Sequence, residues 1–291
     1  QRVRQVGGEQ RLQRVEGLAH RLRALDDEPP RGPPGPAAGQ ASYSRAARRF
    51  VVEGPQAVRE ALAAGGLLEL FYEPGRHDDV VQAVREAGTP ITEVTAPVLA
   101  AMADTVTPQG LVAIAPLLDV ALESLTQPRL VAVLDAVNDP GNAGTVIRTA
   151  DAAGADAVIL TAGSVDPHNA KCVRATAGSL WHLPVVSGAD LTSVVRRLQA
   201  ENVQVLATSG GGNDDLDELA AAGTLGRATA WLFGPEAAGL SDEAMALADR
   251  VVRIPIRGRA ESLNLSAAAA VCLYASARAH RESSPGEHRQ P

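Results

Sequence analysis

Aromatic residues are scarce: three Phe, three Tyr and two Trp in 291 residues. A core has to come from Ala, Val and Leu instead, and a hydrophobic fraction of 45% suffices for one. Cysteine is rarer still. Cys172 and Cys272 are too few for a disulfide framework and stand in no metal spacing, which fits a reducing cytoplasmic setting. No apolar run is long enough to cross a bilayer and no signal peptide is visible, so no membrane partner is expected. The chain opens on Gln1 rather than Met, so its natural N-terminus is expected to be missing or processed. The six histidines do not pair at ligand distances, so no metal is expected. His168 and His182, without an obvious partner, read as surface or core-edge residues. Several signatures are also missing. There is no G-x-G-x-x-G after the first strand, no phosphate-binding G-x-x-x-x-G-K-[ST] and no G-x-S-x-G elbow.

Positive charge is short as well, with a net charge of −7. It is distributed unevenly. Residues 1–50 hold ten Arg against five Asp/Glu, whereas residues 51–120 hold three Arg against ten. A broadly basic nucleic-acid surface is thereby excluded. Any RNA contact must rest on local patches.

What is present is an alternation of short apolar strands and helical repeats, which marks an α/β fold. Residues 1–44 read as a basic arm followed by a Pro/Gly-rich linker. Residues 45–116 read as a small α/β unit, from FVVEG to GLVAIAPL. Residues 117–128 are a connector. Residues 129–280 repeat strand and helix from RLVAVLDAV to a long Ala-rich helix, and residues 281–291 read as a disordered tail. Strands alternating with helices predict a parallel sheet covered on both faces, with ligands beyond its C-terminal strand ends.

Three segments at such ends stand out. In Asp135-Ala-Val-Asn138-Asp139-Pro140-Gly141-Asn142-Ala-Gly144-Thr145-Val-Ile-Arg148, a strand leads through a Pro-Gly turn into a helix. Asn142 is the expected N-cap. An open helix N-terminus suits phosphate, and Arg148 follows six residues later. In Trp231-Leu-Phe233-Gly234-Pro235-Glu236-Ala-Ala-Gly239-Leu240-Ser241, two glycines bracket a loop with one carboxylate, and Ser241 is an expected cap. In Ile254-Pro255-Ile256-Arg257-Gly258-Arg259-Ala260-Glu261-Ser262-Leu263-Asn264-Leu265-Ser266, polar residues lead into the Ala-rich helix. Taken singly, each is equally explained by turns, caps and close packing.

Taken together and in order, they resemble the three motifs of the TrmH/SpoU family of RNA ribose methyltransferases, within the SPOUT superfamily. KCVRATAGSLWHLPV and TPQGLVAIAP also resemble family stretches, and FVVEGPQAVREALAAG resembles the family's L30e-like substrate-binding domain. The similarity spans roughly residues 45–280. It implies a C-terminal domain with a parallel sheet and a deep trefoil knot, a rare exception to the rule against knots. It implies S-adenosylmethionine as methyl donor, bound near Thr208, Gly234, Glu236, Ile254, Ile256 and Leu263. It implies structured RNA as substrate, ribosomal RNA first and transfer RNA second, and a homodimer formed through the knotted domain.

The resemblance also assigns roles. Asn142, Arg148, Glu236, Ser262 and Asn264 become the catalytic set, with the partner subunit's Arg148 as a candidate contact of Ser262 and Asn264. An arginine of ordinary pKa cannot accept a proton. Arg148 therefore either has a depressed pKa or clamps phosphate and polarises the ribose hydroxyl, the version preferred here. Candidate phosphate contacts are Arg45, Arg48, Arg49, Arg174, Arg257 and Arg259. The alternatives are a non-catalytic RNA-binding relative, a methyltransferase acting on a base or on something other than RNA, and an unrelated doubly wound nucleotide-binding enzyme.

Overall fold

The computed structural model describes residues 48–105 and 107–283. The basic arm, the linker, Arg45 and most of the expected tail lie outside the described residues. Two compact units are formed. Unit 1 runs to Leu117 and includes His168–Arg174, and unit 2 holds the remainder.

Unit 1 consists of β1 (Arg49–Glu53), α1 (Pro55–Ala63), β2 (Glu69–Tyr72), α2 (Asp78–Glu86), β3 (Ile91–Glu93), α3 (Ala96–Met102) and β4 (Leu111–Pro116). The sheet order is β1-β4-β2-β3. β4 lies antiparallel to both its neighbours, and β2 pairs parallel with β3. Local chemistry sets the elements. Gly54 takes φ 88 to turn out of β1, and Pro55 presets the first turn of α1. α2 carries Asp78 and Asp79 in its first turn and Arg85 in its last, each favourable to the helix dipole. Phe71, Leu99, Met102, Val112 and Ile114 close one apolar cluster. The included segment adds His168, which is buried with its ring 4.7 Å from that of Phe50.

Unit 2 holds β5 (Leu130–Leu134), α4 (Pro140–Ala153), β6 (Ala157–Thr161), α5 (Ala170–Thr176), β7 (Val185–Ala189), α6 (Leu191–Ala200), β8 (Gln204–Thr208), β9 (Asp214–Asp215), α7 (Leu216–Ala221), β10 (Thr229–Phe233), α8 (Asp242–Leu247), β11 (Arg250–Arg253) and α9 (Leu265–Ser283). The first residues of α5 group with unit 1. The sheet is parallel throughout, in the order β7-β6-β5-β10-β8-β11-β9. β5, β6 and β10 are buried at every residue, as strands covered on both faces must be.

α9 explains its own alanines. Leu265, Ala269, Cys272, Leu273 and Ser276 are buried along one face. The Ser276 hydroxyl accepts a hydrogen bond from the Trp231 indole nitrogen at 3.0 Å. Burial in that face raises the Cys272 thiol pKa. The opposite face leaves Val271 and Tyr274 exposed at 42% and 49%.

Two expectations are corrected. Asn142 is not the N-cap of α4. The helix starts at Pro140, and the Asp139 carboxylate caps it by accepting from the Asn142 backbone N–H at 2.7 Å. The sequence reading also passed from β8 to β10 without a break. The chain places β9 and α7 between them, in a segment rich in Gly and acidic residues whose helix is only six residues long. Asp215 caps that helix through the Asp217 N–H at 2.9 Å.

Candidate active site

The three unusual segments converge in unit 2 at the C-terminal ends of its strands. β5 delivers the start of α4, β10 delivers the Gly234–Gly239 loop, and β11 delivers the segment leading into α9. Gly234 is required by close approach. A Cβ there would stand 2.6 Å from the backbone of Gly239 and of Leu240. Gly239 itself takes φ 67, and its N–H bonds Pro235 O at 2.8 Å. The loop is thus folded tightly on itself and presents Glu236 outward.

Glu236 Oε1 is the meeting point. It accepts from Asn142 Nδ2 and from Asn264 Nδ2, both at 2.6 Å. Asn264 Nδ2 also lies 3.3 Å from Asn142 Oδ1, which accepts from Ser266 Oγ at 3.0 Å. Asn264 Oδ1 in turn accepts from the Ser266 backbone N–H at 2.9 Å and so caps α9. Residues 94 and 122 positions apart along the chain are joined in one polar network. An ionised carboxylate only accepts, so it dictates which end of each amide faces it. Ser266 belongs to this network, and the sequence reading had missed it. Its position, two residues after Asn264, was the available signal.

Beside the network is a cleft of about 240 Å³, just under the usual small-molecule range of about 300–1,000 Å³. Thr208, Gly234, Glu236, Ile254, Ile256, Ser262 and Leu263 all line it. Apart from Ser209 and a second acidic residue, Glu261, its remaining walls are apolar side chains and loop backbone. Ser262 is exposed, and Thr208 Oγ1 is tied back to Leu232 O at 3.0 Å. Glu236 Oε2 has no partner among the described residues, which leaves one carboxylate oxygen available beside the cleft. Largely apolar walls, loop backbone and the carboxylates of Glu236 and Glu261 suit a nucleoside carrying a positive centre.

The arginines are placed differently from one another. Arg148 is exposed on α4, with no hydrogen bond or ion pair among the described residues. It stands about 9 Å along the helix axis from Asn142. Arg257 and Arg259 flank a shallow depression with Ile254, Ile256, Leu263 and Val271. Arg257 pairs with Asp217 at 2.9 Å, with both side chains largely in solvent, where such a pair is worth about 0–1 kcal/mol. Arg259 is exposed and unpaired among the described residues.

In unit 1, Arg48 and Arg49 are exposed, and Arg48 takes φ 52. Arg174 is engaged by two carboxylates: Nη2 donates to Asp104 at 3.1 Å, and Nη1 lies 3.5 Å from the buried Glu53 carboxylate. The second contact is an ion-pair distance without hydrogen-bond geometry, which leaves that nitrogen without a hydrogen-bond partner. His182 is bound through Nδ1 to Asp151 at 2.8 Å on the surface, away from the network.

Comparison with known proteins agrees with this geometry. Residues 129–274 match the SpoU rRNA Methylase family, and residues 51–120 match a model described as RNA 2'-O ribose methyltransferase substrate binding. The chain is 35% identical over 225 residues to the 23S rRNA (guanosine(2553)-2'-O)-methyltransferase RlmP of Bacillus subtilis (strain 168), covering 77% of this chain and 87% of that one. It resembles the AdoMet-bound rRNA methyltransferase from Sinorhizobium meliloti at 32% identity and a TM-score of 0.74, over 90% of this chain and 94% of that one. It also resembles the SpoU methyltransferase AviRb from Streptomyces viridochromogenes, in complex with the cofactor AdoMet, at 26% identity and a TM-score of 0.76, over 91% and 99% of the two chains. With both halves of the chain matched in order and the three motifs meeting at one cleft, the protein belongs to the SpoU rRNA methylase family.

Proposed function

We propose that the protein methylates a ribose 2′-hydroxyl in ribosomal RNA, with S-adenosylmethionine as donor. The observation that carries this reading is the Asn142–Glu236–Asn264 network, set against the cleft lined by Glu236 and Ser262. S-adenosylmethionine supplies an activated methyl group on a sulfonium. Ile254, Ile256, Leu263 and the loop backbone at Gly234 would hold its nucleoside, and Thr208 would close the far wall. The available Glu236 oxygen would favour a cationic ligand.

The chain's own residues do the remaining work. The network fixes the Asn142 and Asn264 amides, so their free edges meet the RNA in one orientation, and positioning of this kind is a large part of catalysis. Arg148 clamps the phosphate beside the target ribose and polarises the hydroxyl that must lose its proton. Its exposure leaves it available for that role or for contact across a dimer. Ser262 holds the approach to the cleft. Arg257 and Arg259 take further backbone phosphates, and Arg257 exchanges a weak surface pair for a phosphate. Arg48 and Arg49 offer the corresponding contacts in unit 1.

Unit 1 would serve as the RNA-docking domain and unit 2 as the transferase. The exposed apolar side chains Val271 and Tyr274 support a homodimer formed by unit 2. The deep trefoil knot of unit 2 is what the family resemblance implies for this sheet. A ribosomal RNA substrate supports a cytoplasmic location.

The test is transfer of labelled methyl from S-adenosylmethionine to unmodified ribosomal RNA and transfer RNA in separate reactions. Label in ribosomal RNA alone is the expected result. Label in transfer RNA alone overturns the substrate, and binding of the donor without transfer to either RNA favours a non-catalytic relative.

A further inference from the structure

The polar network contains one member that neither the motif reading nor any role above assigns. Ser266 sits on the first turn of α9, half-buried, and its hydroxyl donates to Asn142 Oδ1 at 3.0 Å. The same oxygen lies 3.4 Å from Asn142 O. Asn142 sits on the first turn of α4. Ser266 therefore ties one helix start to the other at the residue that Glu236 holds from the far side.

The Asn142 amide has two ends with opposite demands. Its NH₂ group must donate to Glu236 Oε1, and its carbonyl must find a donor. Two donors are near that carbonyl, Ser266 Oγ at 3.0 Å and Asn264 Nδ2 at 3.3 Å. Asn264 Nδ2 makes its short bond, 2.6 Å, to Glu236 instead. Ser266 is thus the principal donor that keeps the Asn142 carbonyl pointing away from the carboxylate.

We propose that Ser266 is a positioning residue of the methyl-transfer site, fixing the amide orientation of Asn142 through its hydroxyl. This rests on the function proposed above. Without the hydroxyl, Asn142 keeps one long bond at its carbonyl, and the terminal torsion of Asn is soft. The Asn142 amide then rotates away from its productive setting while the donor cleft, which Ser266 does not line, is unchanged.

The experiment compares the full-length protein with Ser266→Ala and Ser266→Thr in steady-state methyl transfer to RNA. Melting temperature and S-adenosylmethionine affinity are measured on the same samples. Ser266→Ala is expected to lose about 10-fold or more in kcat, as small misplacements at reacting groups do. KM for both substrates and the melting temperature should stay near the wild-type values, and Ser266→Thr should recover most of the rate. Combining Ser266→Ala with Asn142→Ala should cost no more than Asn142→Ala alone, because both remove one interaction. Wild-type kcat in Ser266→Ala overturns the inference, as does a loss that Ser266→Thr does not restore or that adds in full to Asn142→Ala. A wild-type protein inactive on every RNA overturns the function itself, a distinct result.

Discussion

At the scale of single residues, the site is a set of acceptors and donors with few spare partners. Glu236 takes two amides on one oxygen, so neutralising it removes the group that orients both. Glu236→Gln should lower kcat about 10- to 100-fold. Thermal stability should change little, because the side chain is exposed; a calorimetric scan beside the kinetic assay checks both. Arg148→Lys keeps a positive charge but loses the planar fork that can grip a phosphate with two parallel bonds. That variant should retain measurable RNA binding in a filter assay and lose most turnover, and full activity would remove the clamp from the mechanism. The candidate site was legible in the sequence only as three motifs in order. Nothing local to Asn142 announces a bond to a carboxylate 94 residues away. The capping role assigned to Asn142 failed for a related reason, since Asp139 is an equally good cap and stands directly before Pro140.

At the scale of elements, the strands and helices read clearly where apolar periodicity was strong. β5, β6 and β10 are continuous apolar runs, and each was recognised. β9 and α7 were not, because a two-residue strand and a six-residue helix carry too little periodicity to rise above the glycines before them. Gly234 is required by contact, whereas Gly239 is required by its positive φ. Gly234→Ala places a Cβ 2.6 Å from backbone atoms that cannot swing aside. It should cost about 1–3 kcal/mol as overpacking does, read as a melting temperature lower by several degrees. Gly210, in the neighbouring loop, has open space around its Cβ position. Gly210→Ala should shift stability by no more than about 0.5 kcal/mol. Equal losses in the two variants would dissociate the glycine requirement from the loop crossing.

At the scale of the whole molecule, charge and apolar surface point to different partners. The acidic balance of residues 51–120 gives no general grip on RNA, so affinity must come from a few arginines and should fall with salt with a slope set by their number. The face of α9 that carries Val271 and Tyr274 is apolar and exposed, and the proposed dimer would cover it. Val271→Asp should then convert a dimer to a monomer in sedimentation analysis and make melting independent of protein concentration. A wild-type protein that sediments as a monomer at micromolar concentration would contradict that assembly. A restart of the strand–helix alternation leads the sequence reading to expect two units, and the described residues form two compact ones with other bounds. The grouping of His168–Arg174 with unit 1 was not visible, because the contacts of that segment, such as Arg174 with Glu53 and Asp104, join positions far apart in sequence. In the proposed function, the network beside the cleft directs a methyl group to a ribose hydroxyl. It is tested most directly by digesting methylated ribosomal RNA to nucleosides and identifying the product by mass. The wild-type protein should yield a 2′-O-methyl nucleoside, and Arg148→Ala should lose it. A base-methylated nucleoside, or an undiminished 2′-O-methyl product from Arg148→Ala, would contradict it.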